Sequence, residues 1–132
     1  MAMGYFNTFV TVAPDCPADA GVAPGQPRSI AGFEYMLLTA NPYRLSGEDL
    51  ILAVHARHKA IADADIAVFK ISLFSKPHPC LRASMLTKRY GWGAHYDAHG
   101  RIALYGVETD AYRQLTSQLD IKVIPAMRNR RA

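Results

Sequence analysis

The sequence predicts an α+β fold in a single domain, residues 1–132, with a mainly antiparallel sheet packed by three or four helices. Three observations support this prediction. Short runs in which apolar and polar residues alternate indicate strands, runs with helical spacing lie between them, and a turn motif joins two of the alternating runs. With 132 residues, of which 50% are hydrophobic, the chain can bury a core without disulfides or metal ions.

The first element is a strand, followed by a long loop. Residues 5–12, YFNTFVTV, alternate with a period of two, which predicts a strand. The segment Pro14–Pro27 then contains four prolines and two glycines. Proline removes a backbone donor and fixes φ, so this composition disfavours both helix and central strand. We therefore expect a surface loop over residues 14–27.

Two helices and an ambiguous segment follow. Ser29 is a suitable N-cap for a helix that must end before Asn41-Pro42, and Ser46 is a suitable N-cap for the next. Residues 63–74 have apolar residues at helical spacing, but their β-branched and aromatic content also fits a strand. We favour a helix there.

The second half of the chain adds strands and a short helix. Residues 80–86, CLRASML, alternate and predict a strand that places Arg82 and Ser84 on one face. Thr109 precedes a short amphipathic run, and IKVI, residues 121–124, predicts a last strand.

A β-hairpin is predicted at about residues 89–107. Its turn, DAHG, begins with aspartate and ends with a glycine suited to positive φ. A three-residue loop pairs Asp97 with Arg101 and Trp92 with Gly106, which makes one face wholly apolar. A four-residue loop would mix polar and apolar residues on both faces, and such a slip is penalised where one face is buried. We also expect Asp97 and Arg101 to form a cross-strand charge pair.

The other face of this hairpin carries small residues, including Gly91 and Gly93. Glycine in a strand lets another group approach the backbone closely. A helix of the same chain could cover this face, or Tyr105 could fold over Gly93. A bound ligand is the second interpretation. The predicted ligand-binding residues are Arg82, Ser84, Arg89, Gly91, Gly93, His95, Arg101 and Tyr105.

The leading functional hypothesis is a binding module for a small anionic or polar ligand over this basic-rimmed glycine surface, because arginine grips carboxylates and phosphates with two hydrogen bonds. The alternative is an enzyme at the same site with His95 as general base, oriented by Asp97. A protein or nucleic-acid interaction module is a further alternative. No cofactor is predicted, and a homo-oligomer is left open.

Charge is distributed unevenly along the chain. Residues 80–132 carry nine Lys or Arg against four acids, and the segment 126–132 forms a basic tail. The net charge of +4 is small for a nucleic-acid binder, and the register turns Trp92 inward, so nucleic acid is disfavoured.

Nucleophilic, metal and membrane sites are weakly supported. Cys80 is a candidate nucleophile near His78, but a lone cysteine at a strand start is typical of a small buried hydrophobe. His55 and His58 share a helix face without the glutamate of the zinc-protease pattern, so no metal site is predicted. The two cysteines are far apart, which favours reduced thiols and a cytoplasmic protein. No apolar run approaches about 20 residues, so no transmembrane segment is predicted.

Four segments resemble a family of small uncharacterised bacterial proteins of about this length. They are YFNTFVTVAPDCP, NPYRLSGEDL, CLRASMLTKRYGWGAHYDAHGRIALYG and AMRNRR. The CLRAS and KRYGWG blocks are the most specific, and the resemblance covers nearly the whole chain. It implies no activity, cofactor or catalytic residue.

Overall fold

The computed structural model describes residues 5–130, and within them the α+β class is confirmed. The described residues form five α-helices, more than the three or four predicted, and four strands. In chain order these are β1 (Thr8–Thr11), α1 (Ile30–Ala40), α2 (Gly47–His58), α3 (Ile66–Leu73), α4 (Met85–Lys88), β2 (Trp92–Tyr96), β3 (Ile102–Gly106), α5 (Asp110–Ser117) and β4 (Lys122–Pro125).

The strands form one sheet in the order β3-β2-β1-β4. The pairs β3–β2 and β2–β1 are antiparallel, as expected, but β1 and β4 are parallel. The chain leaves β3 at one edge, passes through α5 and enters β4 at the opposite edge. The sheet is therefore mixed, with most of its pairing antiparallel.

The hairpin register is confirmed. Trp92 pairs with Gly106 at one end of the ladder, and Tyr96 pairs with Ile102 at the other. Gly100 has a φ of 78°, the left-handed conformation that the turn requires. The apolar pattern thus selected the register that keeps one face of the hairpin in the core.

Asp97 holds the turn, but not by the expected charge pair. One oxygen of its carboxylate accepts hydrogen bonds from the backbone N–H groups of His99, at 2.8 Å, and Arg101, at 2.9 Å. The salt bridges within residues 5–130 are Lys70–Glu48 and Arg113–Asp110, so Asp97 and the Arg101 side chain do not pair. Aspartate at this position commonly accepts hydrogen bonds from the backbone of its own turn.

Side-chain hydrogen bonds to the first turn fix where three helices begin. Ser29 Oγ accepts from Gly32 N at 3.0 Å and begins α1. Ser46 and Asp49 form a reciprocal capping box that begins α2. Thr109 Oγ1 accepts from the third residue of α5. These local hydrogen bonds confirm the predicted helix starts.

The predicted strand at residues 80–86 is wrong. Residues 81–83 form a 3₁₀ turn, and α4 follows it. Ser84 Oγ accepts from Leu86 N at 3.0 Å, and the Thr87 hydroxyl donates to Leu81 O at 2.5 Å. Such local side-chain bonds to the backbone compete with strand pairing, so the alternating pattern is not expressed as a strand.

Apolar side chains pack on both faces of the sheet. One cluster, under α1 and α2, includes Leu38, Leu50 and Tyr96. The other, under α5, centres on Phe9 and Tyr112. No helix among residues 5–130 is long and apolar enough to cross a bilayer.

The predicted loop and tail both contact the folded body. Residues 14–27 contain no helix or strand, as predicted, and Val22 O accepts from the Trp92 indole at 2.8 Å. Of the basic tail, residues 126–130 are described and 131–132 lie outside the description. The Asp15 carboxylate accepts from the backbone of Asn129 and of Arg130, which lowers the pKa of Asp15.

Candidate functional site

The glycine surface predicted as an open site is closed by the protein itself. A Cβ placed on Gly93 would lie 2.5 Å from Phe9 Cζ and 2.7 Å from Tyr112 Cε2. At Gly91, which has a φ of 82°, a Cβ would collide with the carbonyl of Ala20 in the 14–27 loop. The prediction of an open surface at these glycines is therefore wrong, and the interpretation in which the chain covers them is correct.

The predicted arginines do not converge on a common point. Arg82 Nε donates to Pro125 O at 2.9 Å, which ties the 3₁₀ turn to the end of β4. Arg89 follows α4 and Arg101 follows the hairpin turn, and both are exposed. Ser84 lies elsewhere, against α1, as described below.

His95 and Tyr105 do meet, through a residue that was not predicted. The Tyr43 hydroxyl lies 2.7 Å from His95 Nδ1 and 2.7 Å from the Tyr105 hydroxyl. Tyr43 has a φ of 58°, rare for a non-glycine residue, and its N–H donates to Ile102 O at 2.9 Å. The backbone of β3 thus holds Tyr43 over the sheet.

Burial sets the protonation of this network. It lowers the pKa of His95, although Asp97 acts in the opposite direction. Burial, reinforced by Tyr105, raises the pKa of Tyr43. His95 and Tyr43 are therefore neutral near pH 7. Because the Asp97 carboxylate bonds the turn backbone and His95 Nδ1 bonds Tyr43, Asp97 does not orient the imidazole as predicted.

A different part of the molecule offers a cavity, which we call the Glu34 cavity. It lies among α1, α2 and the segment 79–85, and its volume is about 160 Å³. Its walls are mostly apolar. The lining residues are Ile30, Ala31, Glu34, Ile51, Val54, His55, Pro79, Cys80, Ala83, Ser84 and Met85.

Glu34 extends from α1 to the start of α4. Its Oε1 accepts from the Ser84 hydroxyl at 2.6 Å, while Ser84 Oγ also accepts from Leu86 N as the N-cap of α4. Burial raises the pKa of Glu34 to about 7, and the Ser84 hydrogen bond offsets part of that shift. The carboxyl can therefore be protonated or ionised at neutral pH.

The second carboxyl oxygen of Glu34, Oε2, makes no hydrogen bond within residues 5–130. Within residues 5–130, Ser84 provides the single hydrogen bond to this carboxyl, and it goes to Oε1. No fully enclosed side-chain nitrogen or oxygen in those residues lacks a hydrogen-bond partner. Oε2 is therefore not fully enclosed by the described residues, and the Glu34 side chain lines this cavity. A polar atom among apolar walls is the usual basis of orientation in a ligand site.

Cys80 and His55 complete the polar part of the wall. Cys80 Sγ lies 3.6 Å from the Tyr5 hydroxyl, and neither cysteine of the chain forms a disulfide. The His55 ring packs 5.2 Å from the His78 ring, and burial, followed by repulsion from His78, lowers the pKa of His55. His78 itself bonds Leu73 O at 2.6 Å.

Metal ligands do not cluster in the described part of the chain. No group of three or more His, Cys, Asp or Glu residues there could hold a metal ion. The predicted pair separates, since His55 packs on His78 and His58 packs on Phe33.

A wider groove adjoins the Glu34 cavity and shares Ile30, Ala31 and Met85 with it. Its volume is about 520 Å³. The remaining lining residues are Gly25, Gln26, Ser29 and Tyr90. Gly25, Gln26 and Met85 are exposed, so the groove connects the cavity region to solvent.

Glu34 was missed in the sequence, although a signal for it exists. It is the one charged residue of α1, IAGFEYMLLTA. Ala31 lies three positions before it, and Leu37 and Leu38 lie three and four positions after it; all three are buried. An acid at that spacing shares the inward face of the helix, where a carboxylate is costly unless it has a function or a partner.

Comparison with known proteins places the chain in a family without assigning a role to these residues. No curated protein and no solved structure matches it. A family model, described as a family of unknown function, DUF6157, matches residues 1–132. The match confirms that the chain belongs to a family of unknown function, as the sequence resemblance predicted.

Proposed function

We propose that the protein binds a small, largely apolar ligand that carries an amine or hydroxyl group, and that the Glu34 cavity is the binding site. The observation that carries this proposal is the Glu34 carboxyl, which lines a mostly apolar cavity and whose Oε2 atom has no hydrogen-bond partner among residues 5–130. A donor on the ligand would supply that partner.

The size of the cavity limits the ligand. Its volume is about 160 Å³. An apolar cavity of about 150 Å³ can hold a benzene molecule. One ring with a short substituent therefore fits, and a longer ligand would extend into the groove that shares Met85 with the cavity.

The charge of the walls argues against an anionic ligand. No Lys or Arg is among the residues that line the cavity, and Glu34 is the one acid. An anion would have no counter-charge there, whereas an amine could pair with ionised Glu34 in a charge-assisted hydrogen bond. The sequence predicted an anionic or polar ligand, and the lining of the cavity favours a polar ligand over an anionic one.

An enzymatic use of the same cavity is the second candidate. The Glu34 carboxyl, with a pKa of about 7, is matched to proton transfer at neutral pH. Cys80 is a nucleophilic group on the same wall. In this alternative Glu34 would be the general base, in place of His95, whose Nδ1 bonds Tyr43.

The proposal can be tested with three probes of matched size: benzylamine, benzyl alcohol and benzoate. Binding is followed by chemical-shift changes in ¹H–¹⁵N NMR spectra at pH 7.5. We expect affinity to fall from benzylamine to benzyl alcohol to benzoate, with shifts at residues around the cavity. Glu34→Gln should weaken benzylamine by about tenfold, and Ala83→Leu should block all three probes by filling the cavity.

Glu48→Gln is the matched control, since Glu48 is on α2 and outside this cavity. It should bind like the wild type. Benzoate binding as tightly as benzylamine, or Ala83→Leu binding all probes unchanged, would refute the proposal.

A further inference from the structure

Helix α3 is apolar on both sides, but the protein covers one side. Ile66, Phe69 and Leu73 form the inner stripe, and Leu73 is buried. On the opposite side, Val68 is 73% exposed and Ile71 is 76% exposed. A helix that is apolar all round normally has both sides buried. The outer side of α3 therefore lacks a cover within residues 5–130.

The exposed residues have helical spacing and form one patch. Ala67, Val68 and Ile71 are exposed at positions i, i+1 and i+4 of the helix. They share one side of the helix because residues three and four apart are neighbours on its surface. We call these three residues the outer face of α3.

Opposite charges flank this face at its two ends. Asp63 and Asp65 precede the helix, in the 3₁₀ turn 63–65, and both are exposed. Lys76 follows the helix and is exposed, while Lys70, near the middle of α3, pairs with Glu48 of α2 at 3.9 Å. The helix dipole has the same sense, positive at the acidic end and negative at the basic end. The flanking charges therefore stabilise the helix and also mark its two ends with opposite signs.

We propose that the outer face of α3 is a homodimer interface, in which α3 packs antiparallel against α3 of a second copy. An isologous contact of this kind needs a surface complementary to itself under a two-fold axis. An axis between residues 69 and 70 sets Val68 opposite Ile71 of the second copy. The same axis brings the acidic end of each helix to the basic end of the other.

The antiparallel arrangement is the one that the charges favour. A parallel pair would place Asp63 and Asp65 beside the same acids of the second copy and would align the two dipoles unfavourably.

The size of the contact predicts a weak dimer. One exposed helix side offers less surface than the total of about 1,200 Å² that stable interfaces bury. Association should therefore depend on concentration and weaken as salt rises, because exposed charges are screened.

Sedimentation velocity over a concentration series, up to millimolar protein, tests the proposal. The wild type should shift from monomer to dimer as concentration rises. The double variant Val68→Ser, Ile71→Ser should remain monomeric. Leu119→Ser is the matched control, because Leu119 is fully exposed outside α3 and should leave the dimer unchanged. A wild type that stays monomeric, or a double variant that dimerises as the wild type does, overturns the proposal.

Charge reversal tests the antiparallel geometry itself. Asp63→Lys with Asp65→Lys makes both ends of α3 basic, and Lys76→Glu makes both ends acidic, because Lys70 is paired with Glu48. Each variant alone should associate at least about tenfold more weakly than the wild type. An equimolar mixture should form heterodimers, because each end then meets an opposite charge. Circular dichroism verifies that both variants fold. A mixture no more associated than its components rules out the antiparallel contact.

Discussion

The Gly93 face of the hairpin and the Glu34 cavity both contain small residues, but the protein fills one and leaves the other open. At Gly93 the missing side chain makes room for the rings of Phe9 and Tyr112, which pack at 4.9 Å between centroids. In the cavity, Ala31 and Ala83 are also small, yet about 160 Å³ remains between the helices. A small residue therefore marks a close approach, and the rest of the fold decides whether the approaching group belongs to the protein.

The two regions also differ in hydrogen bonding: polar groups on the filled face are bonded to one another, whereas one polar atom of the cavity wall has no partner among the described residues. On the filled face, His95 and Tyr105 satisfy each other through the Tyr43 hydroxyl. In the cavity wall, one oxygen of Glu34 bonds Ser84 and the other has no hydrogen-bond partner among residues 5–130. Buried polar groups in proteins normally have hydrogen-bond partners. The network on the filled face is already paired, whereas Glu34 in the cavity wall retains an acceptor for a ligand.

The largest expected effect is on the filled face. Gly93→Val should lower the free energy of unfolding by about 3 kcal/mol or more, because the added carbons would overlap two packed rings. Urea denaturation measures it. Gly25→Ala is the control, since a Cβ there meets nothing within 4 Å and should change stability by less than about 0.5 kcal/mol. Equal stability of Gly93→Val and wild type would show that this face is open after all.

A smaller effect is expected from the buried carboxyl in the cavity. The pKa of Glu34 rises from an ordinary value of 4.5 to about 7 on folding. Between those pH values the folded state binds more protons than the unfolded chain. This group therefore makes stability fall as pH rises from about 4.5 to 7, by about 2 kcal/mol after solvent screening.

Glu34→Gln tests that sign. At pH 8 the variant should be more stable than the wild type by about 2 kcal/mol, and at pH 4 the difference should be much smaller. Urea denaturation at the two pH values, with exposed Asp120→Asn as the control for loss of a surface charge, provides the measurement. An identical difference at pH 4 and pH 8 would show that the Glu34 carboxyl is not buried.

The smallest expected effect concerns the closed polar network. Tyr43→Phe removes the hydroxyl that joins His95 to Tyr105 and should cost about 1 kcal/mol, since two partners lose a hydrogen bond. Tyr90→Phe is the control, because the Tyr90 hydroxyl makes no side-chain hydrogen bond within residues 5–130. Thermal unfolding distinguishes them. If both variants had the same melting temperature as the wild type, the network would contribute nothing to the stability of the filled face.

The sequence by itself determined the features that depend on neighbouring residues. Ser29, Ser46 and Thr109 bond backbone groups three residues away, so the helix starts could be predicted from local chemistry. The hairpin register followed from Gly100 and from the alternation of apolar residues, because one slip would have exposed the whole apolar face. The helical nature of residues 66–73 was also predictable, from the spacing of its inner stripe.

Only the tertiary structure decided which surfaces are occupied. Residues 80–86 alternate like a strand, but they form a turn and a helix, and Arg82 and Ser84 bond distant Pro125 and Glu34. Phe9 and Tyr112 come from elements far from Gly93 in the chain, and Ser84 comes from an element far from Glu34. Contacts between distant segments depend on how whole elements pack, and no local pattern records which side chain arrives at a given glycine or carboxyl.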